Sequence, residues 1–212
     1  MPNLMDTLEL DFRWLGAIAG LGTLGYAIWN MLLAQRRPTG HQTGVAHKVL
    51  RSRYLVVATL LFIILGWVLW KPIPIELPLL LRLLCLVLGS VILFSSLGVY
   101  IWGLRTLGES FNASTGFGVR LHQAHQLITT GPYVYVRHPM YAAVILAGWG
   151  GLLLFRTWMM LFFAVTMFGL LYRARSEEKA LAQVFGGDWE DYKRRVPGWI
   201  PNFKAWSRKV NK

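Results

Sequence analysis

Apolar residues along this chain gather into long runs separated by polar, mostly basic connections. The runs extend from about Trp14 to Ala34, Tyr54 to Trp70, Leu79 to Leu104, Pro139 to Leu154 and Trp158 to Tyr172. A helix needs roughly 20 apolar residues to cross the hydrocarbon layer, with a range that admits the first three runs. The last two are shorter and call for tilt or a locally thinned bilayer. Phe155-Arg156-Thr157, between them, leaves room only for a helical hairpin. The pattern predicts an all-α fold: a polytopic membrane bundle of about five transmembrane helices. Gly16 and Gly20, at helix-neighbour spacing, are candidates for close helix packing.

Composition strengthens this reading. Of 212 residues 55% are hydrophobic and 15% charged, and the mean hydropathy is +0.43. The chain is expected to form one integral membrane domain over 1–212. The stretch Met1 to Asp11 carries Asp6, Glu9 and Asp11 but no Lys or Arg. A cleavable signal peptide begins with positive charge, so the first run reads as a retained anchor.

The formal net charge is +12, and its placement sets an orientation. Arg36, Arg37, Lys48, Arg51 and Arg53 follow the first run, and Arg105, Arg120 and Arg137 follow the third. A further basic series from Arg173 to Lys212 follows the fifth. Lys and Arg resist translocation, so these connections are expected in the cytoplasm, with the N-terminus outside a plasma or inner membrane. Trp14, Trp67, Trp70, Trp102 and Trp158 near the run ends fit interfacial belts. Anionic headgroups, not nucleic acid, are the expected counterpart of the basic excess.

The lone Cys85 lies in an apolar run and cannot make an intrachain disulfide. His122 and His125 form an H-x-x-H pair, but no carboxylate or thiolate completes a ligand set, so no metal is expected. No G-x-G-x-x-G or P-loop pattern is present, which argues against a Rossmann cofactor domain.

Two polar constellations carry candidate chemistry. Gly131-Pro132-Tyr133-Val134-Tyr135-Val136-Arg137-His138-Pro139-Met140-Tyr141 is bracketed by prolines, and Pro139 suits the first position of the fourth helix. Arg137 and His138 then stand beside a helix N-terminus, where free N–H groups and partial positive charge favour an anion; headgroup anchoring is the plainer alternative. Arg173-Ala174-Arg175-Ser176-Glu177-Glu178 reads as a helix leaving the bilayer, Arg173 and Glu177 being i,i+4 neighbours. A hairpin of the fourth and fifth helices would bring Glu177 and Glu178 within reach of Arg137 and His138. Such a pocket suits a zwitterion, although a surface ladder of ion pairs explains the charges equally well. Beyond Phe185, Gly186 and Gly187 stop the helix, Asp188 is a candidate N-cap for an amphipathic successor, and Pro197 ends it. Trp189, Tyr192, Trp199 and Phe203 are candidates to cover an adenine or a lipid tail, and an amphipathic interfacial anchor explains them equally well.

The run from Leu127 through Gly131-Pro132-Tyr133 to Arg137-His138-Pro139-Met140-Tyr141 resembles the R-H-P-x-Y signature of the isoprenylcysteine carboxyl methyltransferase family. Glu177-Glu178-Lys179-Ala180-Leu181, with Phe185-Gly186 and Tyr192, is similar to that family's E-E-x-x-L and F-G-x-x-Y-x-x-Y tail, and Trp189 replaces its usual tyrosine. Leu107 to Phe111 also resembles a family segment, and the likeness spans about 105–203. It implies S-adenosylmethionine as methyl donor and a membrane-embedded site. By that resemblance the cofactor-binding residues would be Leu127, Gly131, Tyr133, Val134, His138, Pro139, Tyr141, Glu177, Glu178 and Tyr192. Arg137, Arg173 and Glu178 would act at the reaction centre. The acceptor would be a lipophilic, lipidated or membrane-associated molecule. Phospholipid N-methyltransferases and small-thiol methyltransferases share the signature in looser form. NADPH-dependent membrane sterol reductases show a related ending.

Overall fold

The computed structural model describes residues 3–35, 39–43, 61, 64–108, 119–122 and 127–201. Helix α1 covers Leu4–Gln35 and α2 covers Leu79–Leu107. A 3-10 turn at Gly131–Val134 leads into α3, Pro139–Phe155, followed by α4, Trp158–Thr166. The chain continues as α5, Gly169–Phe185, and α6, Gly187–Arg195. Most of the second expected span lies outside the described residues, which are helical there at 64–69.

Among the described residues two helices are long and apolar enough to cross a membrane, Leu4–Leu33 and Leu79–Leu107, and Pro139–Phe155 is apolar but shorter. Many of their leucines are exposed, as lipid-facing helices require: Leu79 and Leu80 are each 67% exposed. Beside the helices there is one small departure from an all-α body. Strand β1, Thr39–Thr43, pairs antiparallel with β2, Val119–His122, joining two connections at the same end of the molecule as the 3-10 turn.

Helices α2 and α3 cross where neither has a side chain. A Cβ on Gly89 would lie 2.9 Å from Leu154 N and 3.0 Å from Gly150 O, and one on Gly150 would lie 2.6 Å from Leu93 N. Backbones meet here, the close approach that small residues permit where no water drives packing. Below the crossing, Leu86, Leu93 and Leu154 form the buried cluster, with Met5 and Phe12 of α1 laid against it. Gly16 does touch this cluster, Leu154 and Leu93 standing 3.0 and 3.1 Å from its Cβ position, whereas Gly20 has nothing within 4 Å.

The hairpin turn between α3 and α4 places Arg156 in the left-handed region, φ 53°, where its N–H closes α3 on Leu152 O at 2.9 Å. Thr157 then caps α4, accepting from Met160 N at 3.3 Å. The fifth expected span, Trp158 to Tyr172, is not one helix. It breaks at Met167 and Phe168, where the Leu170 and Leu171 N–H groups each bond three residues back, at 3.0 Å. Thr166, whose hydroxyl bonds back to Phe162 O at 2.8 Å, and Gly169 flank the break and supply its cause. Beyond the break α5 runs beside the start of α3, where Glu178 meets His138. At its end Gly186, φ 49°, caps α5 and also opens α6, so Asp188 falls in the first turn of α6 and is not its cap.

Candidate active site

Pro139 opens α3 as its first residue, and the residue before it is kept out of the helical region, His138 taking φ −122° and ψ 54°. His138 is the N-cap residue but makes no side-chain cap bond, which frees its ring. Its Nε2 lies 2.8 Å from Glu178 Oε1, and Arg137 Nη2 lies 3.3 Å from the same oxygen. The expected meeting of the α3 start with the acidic helix is therefore formed. The two walls do not face each other across a gap, however: Glu178 is ion-paired to the opposite wall. The hydrogen bond from His138 holds the Glu178 carboxyl below its usual range, with Arg137 adding to the effect against the cost of burial.

Arg137 is 13% exposed at its side chain and stacks over the Trp189 ring, 5.8 Å from Cζ to centroid. Its Nε and Nη1 are buried with no protein partner, as is Trp189 Nε1. Trp189 is 1% exposed, so it packs as an anchor and is not open to a ligand's ring. Trp199 remains half-buried, 5.3 Å from the His138 ring, and is the aromatic positioned to cover a bound group. Phe203 lies outside the described residues.

A second set meets one turn along α3. The Tyr141 ring stacks on His138, 5.7 Å apart and 11° from parallel. Arg173 Nε donates to the Tyr141 hydroxyl oxygen at 2.7 Å, and Glu177 reaches the same hydroxyl. The adjacent acids are thus divided, Glu178 to Arg137 and His138, Glu177 to Tyr141.

Tyr133 and Tyr192 hold the frame. The Tyr192 hydroxyl donates to Tyr133 O at 2.8 Å, pinning the 3-10 turn to α6, and both rings are buried. Burial pushes both phenols up, with the nearby Glu177 charge adding at Tyr133, so both remain neutral. Gly131 takes φ 58°, and a Cβ there would run into the Thr106 side chain, so glycine is required on both counts. Leu127 is half-buried, while Val134 is 45% exposed. One strap was not expected from the sequence. Arg137 N and His138 N donate to Pro197 O and Gly198 O at 2.9 and 3.1 Å, tying the segment after α6 across the α3 start. The only sequence signal for it is the Pro197-Gly198 pair, which reads as a plain stop.

The chain is similar to known proteins along much of its length. The isoprenylcysteine carboxyl methyltransferase (ICMT) family model matches residues 83–183. Methanethiol S-methyltransferase 1 of Bradyrhizobium diazoefficiens is 28% identical over 197 residues, covering 87% of this chain and 65% of that protein. The methanethiol S-methyltransferase of Crocosphaera subtropica is 26% identical, covering 95% and 81%. Protein-S-isoprenylcysteine O-methyltransferase of Schizosaccharomyces pombe is 30% identical over 114 residues, 53% of this chain and 48% of that one. A solved structure of the eukaryotic intramembrane Ras methyltransferase ICMT shares the fold, with a TM-score of 0.51 and 18% identity over 68% of this chain and 52% of that one. The chain spans 65% and 48% of the first and third of these relatives.

Proposed function

We infer that this enzyme, a membrane methyltransferase of the isoprenylcysteine carboxyl methyltransferase kind, takes its methyl group from S-adenosylmethionine at the cytoplasmic face and passes it to a small alkyl thiol. In this reading the chain is a single catalytic membrane domain with its C-terminus in the cytoplasm, the side of its basic connections.

The observation that carries the donor assignment is the unspent capacity of Arg137. Two of its nitrogens are buried without a protein partner beside the start of α3, which has no side-chain cap. A carboxylate is the group that satisfies such donors, in the place where the helix dipole favours it. Glu177, not committed to Arg137, is the carboxylate left to take an α-ammonium, and Trp199 to cover an aromatic base. Leu127, Gly131 and Val134 would line the site through the backbone around the 3-10 turn. Bound S-adenosylmethionine supplies an electrophilic methyl on a sulfonium. The protein's part is positioning and exclusion of water. His138 and Glu178 fix the start of α3, and Tyr141 is held by Arg173 and Glu177. A thiol acceptor loses its proton to water at the polar mouth, and the Arg173 guanidinium favours the thiolate that results. Glu178, held ionised below its usual range, is a weak base and is assigned a positioning role.

The thiol is favoured because the relatives that match along most of this chain are named methanethiol S-methyltransferases. A second reading rests on the match to a protein-S-isoprenylcysteine O-methyltransferase. There Arg173 would hold the carboxylate of a prenylated cysteine that enters from the bilayer.

Calorimetry of purified protein with S-adenosylhomocysteine tests the donor site. Wild-type protein should bind it, and His138→Ala and Glu177→Gln should each weaken binding about tenfold or more. Binding that both substitutions leave unchanged sinks the site. Labelled methyl transfer to methanethiol against N-acetyl-S-farnesylcysteine then decides the acceptor.

A further inference from the structure

At the far end of α3 from the cluster at His138, three guanidiniums converge on one buried carboxylate. Glu9 is 6% exposed. Its Oε1 receives Arg82 Nε at 3.0 Å, and its Oε2 receives Arg13 Nη2 at 3.4 Å and Arg156 Nη2. Arg82 also pairs with Asp6 at 2.5 Å, and Arg13 Nε donates to Leu154 O at 3.0 Å. These arginines come from α1, α2 and the α3–α4 turn, which end together here.

The cluster forms one wall of a cavity of about 560 Å³, whose remaining walls are mostly apolar, Ile73, Leu77, Leu153 and Leu161 among them. Three cations meet the single buried carboxylate and the half-exposed Asp6, so the wall keeps positive charge after its internal pairs are made. Glu76 also reaches the cavity but is exposed, where water screens it. Exposed apolar side chains stand at and beside the mouth: Ile75 is 64% exposed and Leu79, the first residue of α2, 67%.

A ligand that fits must be anionic at one end and apolar at the other, and must arrive from the bilayer. We propose that this cavity binds a phospholipid of the leaflet opposite the methyl-transfer cluster, its phosphodiester among Arg13, Arg82 and Arg156 and the start of an acyl chain along Leu153 and Leu161. A phosphodiester accepts from several guanidinium N–H groups at once, which Glu9 alone, already contacted by all three, does not exhaust. Soluble phosphate would leave the apolar wall unused. A neutral lipid would leave the arginines unused.

The proposal is tested with the full-length protein in detergent, by native mass spectrometry and thermal unfolding. The probes are dioleoylphosphatidylglycerol, dioleoylglycerol and glycerol 3-phosphate. The phospholipid should bind and raise the unfolding midpoint, and each of the other two should bind at least tenfold more weakly. Arg156→Gln should weaken phospholipid binding about tenfold. Because that change touches the Glu9 network and can compromise folding, Leu161→Trp serves as the second variant: it fills the apolar part and leaves every ion pair in place. It too should weaken binding about tenfold. Equal binding of dioleoylglycerol shows that the arginines only brace the helices, and equal binding of glycerol 3-phosphate shows a site for a free anion. Either result overturns the proposal, as does phospholipid binding that Leu161→Trp leaves unchanged.

Discussion

His138 Nε2 stands 2.8 Å from Glu178 Oε1, across 40 positions of sequence and on the far side of a helical hairpin. The contact exists because the turn at Arg156 and Thr157 folds the chain back on itself, and α5, continuing from α4, brings its acidic turn beside the first turn of α3. Arg137 shares the same oxygen. Replacing Glu178 removes the one carboxylate paired to both cations and leaves Arg137 with less than it has now.

Glu178→Gln is therefore expected to destabilise the folded protein by about 1–3 kcal/mol, the cost of leaving a half-buried charged donor short of partners. Thermal unfolding in detergent measures it. A double-mutant cycle with His138→Ala should return a coupling of roughly 0.5–3 kcal/mol. A coupling near zero would mean that the contact contributes nothing.

Acid should act through the same carboxyl. Its value in the folded protein lies below the ordinary 4.5, mainly through the hydrogen bond from His138. A depressed carboxyl stabilises the fold fully above its unfolded value and loses that contribution as pH falls through the folded one. Wild-type protein should hold its unfolding midpoint down to about pH 4.5 and lose stability below it. Glu178→Gln should show a shallower loss over that acid window. Parallel pH curves for the two proteins would remove Glu178 from the account.

Much of this site was legible before the structure, and the reason is local. Proline rules place Pro139 at a helix start whatever surrounds it, and a three-residue turn forces the next helix antiparallel, so Arg137, His138, Glu177 and Glu178 had to be neighbours. The division of labour between the two acids was not legible, since it depends on the azimuth of α5 after a break that Thr166 and Gly169 only hint at. The Pro197-Gly198 strap was hidden for a different reason: it is made by backbone groups, which any sequence carries. The Glu9 network was hidden because its members belong to three elements far apart in the chain, and each alone reads as an interfacial charge.

The glycines at the α2–α3 crossing allow a contrast that periodicity could not supply. Gly150→Ala places a Cβ 2.6 Å from Leu93 N, against backbone that cannot yield. The helices must separate, and a loss of about 1–3 kcal/mol is expected, less the alanine's better helix propensity. Gly20→Ala meets nothing within 4 Å and should be neutral or slightly stabilising. Unfolding midpoints of the two variants, compared in one detergent, check the pair; equal effects would contradict the packing described.

Tyr192→Phe deletes the 2.8 Å bond to Tyr133 O while keeping the ring. The fold should lose about 1 kcal/mol, more if the carbonyl is left dry. Because that bond pins the turn leading to Arg137 and His138, affinity for S-adenosylhomocysteine should also fall, by several-fold, in calorimetry. A stability loss with no change in affinity would make Tyr192 a packing residue only.

Arg173 separates the two acceptor readings by pH. Its Nε is bonded to the Tyr141 hydroxyl at 2.7 Å, so the guanidinium is held beside the His138 cluster. If the acceptor is a thiol, the reacting form is the thiolate, and a fixed positive charge lowers the pH at which it forms. Arg173→Gln should then shift the rise of kcat with a thiol acceptor, which follows ionisation of the bound thiol, upward by about one pH unit, equivalent to roughly 1.4 kcal/mol of lost thiolate stabilisation. Arg173→Lys, which keeps the charge, should restore most of that shift. A carboxylate acceptor is already ionised near neutrality, so its loss would appear as a higher KM with an unchanged pH profile. Initial rates of the three proteins from pH 6 to 10, with methanethiol and with N-acetyl-S-farnesylcysteine, distinguish the outcomes. A pH profile that does not move in Arg173→Gln, joined to a raised KM for the farnesylated carboxylate, would reject the thiol and leave the prenylated acceptor.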